Sequence, residues 1–327
     1  MADILPDGFQ LRPPTMEDVV PVTQLINTLE IAQYGSSEMM QDDISTEWQS
    51  PEFELAKDAW VVIAPDGQLV SYAAAWHREH VRIWSDVEIH PDYEGRGIGE
   101  HLLTLAEAWA REQILLAPPE ARVTVLIGAS SLDHSQQQLL ERAGYRPVRQ
   151  HWRMEIEMNA TPPEPSWPED ISVRPFVLGH DERIVHETDE EAFLDHWGHM
   201  PLQFDIWEHW TVKRENCDPS LWFLAFDGNQ PAGICLCKKE KDLGWVDTLA
   251  VLRPWRRKGL GMALLLHAFG QFYQLGIHKV GLGVDSQNLT GATRLYERAG
   301  MHVARQFNTY EKELRPGVEL SVQSITA

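Results

Sequence analysis

The chain predicts an α/β fold of the α+β kind, built twice in tandem, each copy a mixed, mostly antiparallel sheet flanked by helices. Three observations carry this. The string Arg256-Arg257-Lys258-Gly259-Leu260-Gly261 has a weaker counterpart, Glu94-Gly95-Arg96-Gly97-Ile98-Gly99, 162 residues earlier. Each string follows a strand-like segment (81–89 and 245–251) and a turn with Pro91 or Pro254, and opens into a Leu/Ala-rich run of helical period. The proline-rich segment 161–168 separates two stretches that restart alike, Phe9 to Pro13 and Ile171 to Pro175, and their arginines, Arg12 and Arg174, are again 162 residues apart.

Taken in order, each copy reads as a strand, then a helical region that ends near Leu29 or lies around Glu187 to Leu194. Strands follow at 60–63 and 70–76, and at 221–226 and 232–237. Pro65-Asp66-Gly67 and Asp227-Gly228-Asn229 are turn chemistry between paired strands, so the early sheet is antiparallel. The glycine turn, its helix, a strand, a helix ending at Gly144 or Gly300 and a last strand complete the copy. Leu139 to Tyr145 matches Leu295 to Met301 at an offset of 156, because Ala117 to Glu120 lengthens one loop of the first copy. The order is not the alternating βαβα of a doubly wound sheet. The expected division is a first domain at 1–158, a linker at 159–170 and a second domain at 171–327.

At 327 residues, two domains are favoured over one. A formal charge of −21 argues against nucleic acid and anionic membranes as partners, and makes the basic triplet 256–258 conspicuous. Cys217, Cys235 and Cys237 form no disulfide framework and no zinc pattern, so no metal is expected and a reducing, cytoplasmic setting is. Cys235 and Cys237 share one strand face, which fits packing. The first ten residues carry no basic, apolar leader. Oligomeric state stays open; two copies in one chain can form a pseudo-dimer, which makes a monomer plausible.

A strand, a tight turn with two glycines and a helix N-terminus together make an anion site, because free backbone N–H groups and the positive end of the helix dipole converge there. A dinucleotide fingerprint needs a third glycine or alanine where Leu264 and Leu102 stand, and no Walker A loop is present. A glycine pair that merely closes a turn is the plain alternative for either string alone. Two strings in register, one flanked by three basic residues, argue against it.

With Asp285, Asn288 and Leu295-Tyr296-Glu297 following the turn, the C-terminal copy resembles the GCN5-related N-acetyltransferase (GNAT) superfamily. The resemblance covers both copies, so the chain resembles a tandem GNAT protein similar to the mycothiol synthase group, as does the stretch Ala192 to Gly198. It implies that Leu249, Ala250 and Val251 pair by backbone with the pantetheine arm of acetyl-CoA, a co-substrate. It implies further that Arg256, Arg257, Lys258, Gly259, Leu260, Gly261 and Met262 hold the pyrophosphate, and that Asn288 contacts the same molecule. The acceptor is expected to be the primary amine of a small molecule. An extended pantetheine can add to a strand edge as a peptide does.

Acetyl transfer needs a neutral amine, a polarised thioester carbonyl and a protonated leaving thiolate. The resemblance makes Tyr296 the thiolate acid; core packing is the alternative. Asp247, on the strand before the turn, is the expected base; a polar strand residue bonded to a neighbour is the alternative. By alternation Trp245 and Leu249 share its face, which would raise its pKa. In mycothiol synthases the carboxylate falls at the position of Trp245 instead, a departure that bears on both base and substrate. His196, Trp197, His199, Trp207, His209 and Trp210 are expected to form a flap over the acceptor, or an ordinary aromatic core.

In the first copy the chemical positions become Ser85, Glu94, Ala129, Leu132 and Leu140, while Gly97, Gly99, Glu141, Arg142 and Gly144 survive. That copy is expected to keep the fold without catalysis. Arg96, Gly97 and Gly99 would hold a CoA there, with Glu94 repelling it; nothing in the sequence places His77, His80 or Glu88. Three readings follow: an N-acetyltransferase active in the second copy, an acyl-CoA sensor without turnover, and mycothiol synthesis itself.

Overall fold

The computed structural model describes residues 5–214, 217–288 and 291–323. The first copy runs β1 (Gln10–Arg12), α1 (Val19–Tyr34), α2 (Gln41–Trp48), α3 (Leu55–Asp58), β2 (Ala59–Ile63), β3 (Leu69–Arg78), β4 (Arg82–Ile89), α4 (Ile98–Gln113), β5 (Val123–Ser130), α5 (His134–Arg142) and β6 (Arg146–Glu157). The second runs β7 (Ile171–Pro175), α6 (Glu182–Phe193), α7 (Phe204–Thr211), β8 (Trp222–Asp227), β9 (Gln230–Glu240), β10 (Leu243–Val251), α8 (Leu260–Gln274), β11 (Lys279–Asp285), α9 (Ala292–Arg298) and β12 (His302–Arg315). The order is the one the sequence predicts. Helix α1 runs past Leu29 to a left-handed Gly35, and α6 begins ahead of Glu187, at Glu182.

In each copy the early strands pair antiparallel, β1–β2–β3–β4 and β7–β8–β9–β10, and the strand after the turn helix joins in parallel. That parallel pairing is short. β10 meets β11 only over Leu243–Val246, and β4 meets β5 only over Arg82–Trp84. Beyond it the strands part, and the C-terminal ends of β4 and β10 keep a backbone edge that β5 and β11 do not cover. In the first copy, Val22 and Leu25 of α1 and Ile44 and Trp48 of α2 pack on Val61, Tyr72 and Ala74, alternate residues of β2 and β3. In the second, Leu264, Phe269 and Phe272 of α8 and Val185 of α6 share a core with β9 and β10. Cys235 and Cys237 lie in it with their sulfurs 3.6 Å apart.

The chain forms two compact units: unit 1 is Met1–Gln150 with Phe307–Leu320, and unit 2 is His151–Gln306 with Ser321–Ala327. The sixth strand of each sheet is therefore exchanged. From Phe307 on, β12 pairs with β5, and from His151 on, β6 pairs with β11, both antiparallel. The proline-rich segment has no regular structure, and its Trp167 meets His267 of α8 edge-on at 5.7 Å within unit 2.

Both units open on the same clamp. Arg12 donates to the two oxygens of Asp18, each at 2.7 Å, and Asp18 also accepts from the Thr15 amide. Arg174 donates to Asp181 at 2.6 and 2.9 Å, and Asp181 accepts from the Val177 amide. The Asp181 side chain is only 1% exposed, so the first helix is held by a carboxylate that water cannot reach. Replacing Arg174 with methionine is expected to destabilise unit 2 by about 1.5–3 kcal/mol, since that carboxylate then keeps only the Val177 amide and the exposed His180 ring as partners; urea denaturation measures it.

Candidate functional site

The turn in unit 2 is built by backbone geometry. Gly259 caps α8 with φ 90°, a left-handed conformation that costs glycine little. A Cβ at Gly261 would lie 3.1 Å from Leu295, so the second glycine lets α9 close on the turn. No side chain caps α8, so its first amides face outward. The parted end of β10, the turn and the start of α9 enclose a cavity of about 230 Å³, with Leu249, Ala250, Val251, Arg257 and Tyr296 in its walls.

Arg256 is held by the protein itself. It donates to the Val251 carbonyl at 2.9 Å, to the Ala192 carbonyl at 2.8 Å and to Asp195 at 2.7 Å. Arg253 also donates to Asp195. The clamp ties the end of α6 to the turn. Arg257 and Lys258 remain exposed. Arg257 sits at φ 63°, where the first copy has Gly95 at φ 69°. A non-glycine residue there costs about 1–2 kcal/mol, so unit 2 holds an arginine at a position better suited to glycine.

Arg253 and Arg256 hold the Asp195 carboxyl at about 2, below its usual 3.8. The clamp's contribution to stability is therefore complete above about pH 4 and lost as pH falls through about 2. Asp195→Asn is expected to flatten that part of the stability profile, read from urea midpoints across the acid range.

A second cavity of unit 2, about 280 Å³, is lined by His151, Trp197, Asp247, Asp285 and Asn288. It shares Phe193, His196, Leu249, Ala292 and Tyr296 with the first. Two proton-carrying side chains, His196 and Tyr296, thus stand where the cavities meet. Tyr296 is buried on α9, and burial, with Cys235 nearby, holds its phenol well above the usual range, hence protonated. The Met301 amide donates to the Tyr296 carbonyl and the Gly300 amide to that of Glu297, a Schellman closure that fixes this turn of helix. Burial pulls the His196 imidazole down to about 4, against the opposing pull of Asp285.

Asp247 is not flanked as alternation suggests. The register of β10 on β9 slips between Val246 and Thr248, a bulge that leaves Asp247 as the extra residue. Val246 and Asp247 both line the second cavity, while Trp245 lies over Gly281 with Arg153 stacked 4.9 Å from its ring. Asp247 is 39% exposed, with Lys238 at 3.9 Å. The six-residue aromatic set also divides. His196 and Trp197 line the second cavity, but Trp207 is buried, stacked on Phe204, and His209 packs edge-on to Trp210.

The sequence reading missed two groups. His151 reaches the cavity only because β6 is exchanged into this sheet, opposite Asp285. Asp189 lies on α6, where burial pushes its carboxyl up to about 7 despite a hydrogen bond from Trp207, with Glu190 and Asp247 adding negative charge. Helical position alone does not distinguish it from its acidic neighbours. Among the described residues, no cluster of His, Cys, Asp and Glu is placed to hold a metal.

In unit 1 the turn repeats the backbone but not the chemistry. Gly97 caps α4 at φ 84°, and a Cβ at Gly99 would meet Leu139 and Ile89 at 2.6 and 2.7 Å. Arg96 stacks 4.7 Å from the Tyr93 ring and donates to the Asp92 carbonyl. Ser85 donates to the Ala74 carbonyl, and Leu140 is buried where unit 2 has Tyr296. His77 stacks between His80 and Trp109.

The model of the acetyltransferase (GNAT) family matches residues 24–125 and 182–301. A crystal structure of a GCN5-related N-acetyltransferase from Sphaerobacter thermophilus is 38% identical, with a TM-score of 0.83 over 98% of this chain and 100% of that one. A tandem GNAT protein from the clavulanic acid biosynthesis pathway shares the fold at 15% identity, with a TM-score of 0.72 over 95% of this chain and 100% of its own. A mycothiol acetyltransferase from Pseudarthrobacter chlorophenolicus is 28% identical over 230 residues, 66% of this chain and 65% of that protein. The match spans just under two thirds of that relative's length.

Proposed function

The chain belongs to the acetyltransferase (GNAT) family, as two repeats in tandem, and from that premise we propose that it transfers the acetyl group of acetyl-CoA to the primary amine of a small molecule, with the chemistry in the C-terminal copy. The observation that carries this reading is the meeting of two cavities at Tyr296, one against the parted strand and basic turn, the other lined by Asp247, Asp285 and aromatic rings. The first suits an extended amide-bearing arm and its phosphates. Its edge of β10 offers backbone partners, and Arg257, Lys258 and the α8 amides offer positive charge. The second suits a cationic amine.

The reaction is direct transfer within one complex. The amine nitrogen bonds to the acetyl carbon, the carbon–sulfur bond breaks, and the displaced sulfur takes the Tyr296 proton. Asp247, or a water it holds, takes the proton from the amine, and amides of 249–251 polarise the carbonyl. Proximity of the two cavities supplies much of the rate. His196 is a second base for this step, favoured by its place at the junction and by an imidazole kept neutral through burial. Asp247→Asn and His196→Gln separate the two, since the variant that loses kcat marks the base.

Leu140 and the occupied Ser85 hydroxyl support a first copy without turnover. Free Cys217, Cys235 and Cys237 accord with a cytoplasmic setting, and no helix among the described residues is long and apolar enough to cross a membrane. CoA release with a panel of amines tests the function. Release with simple amines supports the broad reading, and release only with a cysteinyl-glucosaminyl-inositol acceptor narrows it to mycothiol synthesis. Binding of acetyl-CoA without release from any acceptor would point to a sensor.

A further inference from the structure

The loop between α6 and α7, residues 194–203, supplies part of the wall of the second cavity of unit 2 yet forms no helix or strand. His196 and Trp197 line the cavity from this loop. A segment without regular structure is only as rigid as the contacts that tie it down. On the side of the glycine turn the tie is Asp195, bonded to Arg253 and Arg256. On the other side it is the segment 321–323, which follows β12 and belongs to the same unit. The Gly198 amide donates to the Val322 carbonyl, and the Val322 amide donates to the His199 carbonyl at 3.2 Å. Between them, the Trp197 indole N–H donates to Gln323 Oε1 at 2.9 Å, across 126 residues of sequence.

Gln323 is itself braced. The nitrogen of its amide donates to the Ser321 hydroxyl at 2.9 Å, and Ser321 is buried. The side chain that accepts from Trp197 is thus fixed at both ends, although Gln323 lies at the surface. A hydrogen bond in that place adds little to global stability, because water replaces it when it breaks. What it does fix is the orientation of a large ring that faces the cavity. A wall ring ordered before the ligand arrives does not have to be ordered by binding.

We propose that Gln323 is a positioning residue for the acceptor, holding the Trp197 ring as a preformed wall of the amine site and so setting acceptor affinity from outside the cavity. The inference rests on the second cavity being the acceptor site, and it adds to that reading a residue that touches neither the amine nor acetyl-CoA.

The test uses the full chain, with phenethylamine, or whichever amine of the panel releases CoA fastest, as acceptor. Gln323→Ala should raise KM for the amine by about three- to tenfold, the size of ordering one side chain. The loss should fall on KM rather than kcat, with the Kd for acetyl-CoA and the melting midpoint unchanged. Gln323→Glu, whose carboxylate still accepts from the indole and from the Ser321 hydroxyl, should keep KM at or below the wild-type value. In a Trp197→Phe background, which has no indole N–H, Gln323→Ala should have no further effect. Amide hydrogen exchange needs no acceptor: residues 194–203 should exchange about threefold faster or more in Gln323→Ala, with α8 unchanged. If the wild type acetylates no amine, the functional reading fails and the exchange result alone decides whether Gln323 holds the loop. The proposal is overturned by an unchanged KM or unchanged exchange in Gln323→Ala. It is overturned equally by additive effects in the double variant, or by a matching loss of acetyl-CoA affinity, which would make the contact merely structural.

Discussion

Tyr296→Phe is expected to lower kcat by about 10²- to 10⁴-fold, the range of a lost general acid, while leaving the affinity for acetyl-CoA unchanged. Only a hydroxyl is removed. The ring keeps its buried place, and the Schellman closure through the Tyr296 carbonyl belongs to the backbone, so the helix end is preserved. The phenol is held protonated by burial and stands at the junction of the two cavities, where a departing sulfur would need its proton. The loss should therefore fall on the chemical step, not on ground-state binding. Rapid-quench single-turnover kinetics measures that step directly. An unchanged rate would remove Tyr296 from the mechanism and leave it a core residue.

Reversing both free cations, Arg257→Glu with Lys258→Glu, should raise the Kd for acetyl-CoA by about 10²-fold or more. Each charge-assisted contact to phosphate is worth about 1.5–3 kcal/mol. The effect should shrink with added salt, because both side chains are exposed. Arg256 should behave differently. Its guanidinium is spent on Val251, Ala192 and Asp195, so Arg256→Ala should lower stability as well as affinity. The strained backbone at Arg257 gives a second check. Arg257→Gly should relieve the left-handed strain while still weakening the cofactor, a separation of fold from function that a merely structural arginine would not give. Wild-type affinity in the doubly reversed variant would move the phosphate site elsewhere.

Much of the fold was legible because its signals are local. Gly97 and Gly259 are required wherever a strand turns into a helix through a left-handed residue, and Pro65-Asp66-Gly67 turns a hairpin whatever surrounds it. The 162-residue spacing located both turns and both arginine clamps, although Asp18 and Asp181, the partners of Arg12 and Arg174, went unnoticed in the sequence. Asp247 was identified as a site residue, but not its bulge. A one-residue slip depends on how β10 seats against β9, and strict alternation cannot register it.

By itself, then, the sequence determined a duplicated α+β fold, a glycine turn in each copy, and the absence from the first of a counterpart to Tyr296 and to two of the three basic residues. These follow from chain geometry and residue chemistry within a few positions of one another. Only the tertiary structure decided which sheet β6 and β12 join, because β5 and β11 offer like edges and local pattern cannot choose between them. It also decided that Arg256 is consumed by Asp195 while Arg257 stays exposed. Whether a charge serves a ligand or the fold depends on what packing brings beside it, often from far along the chain.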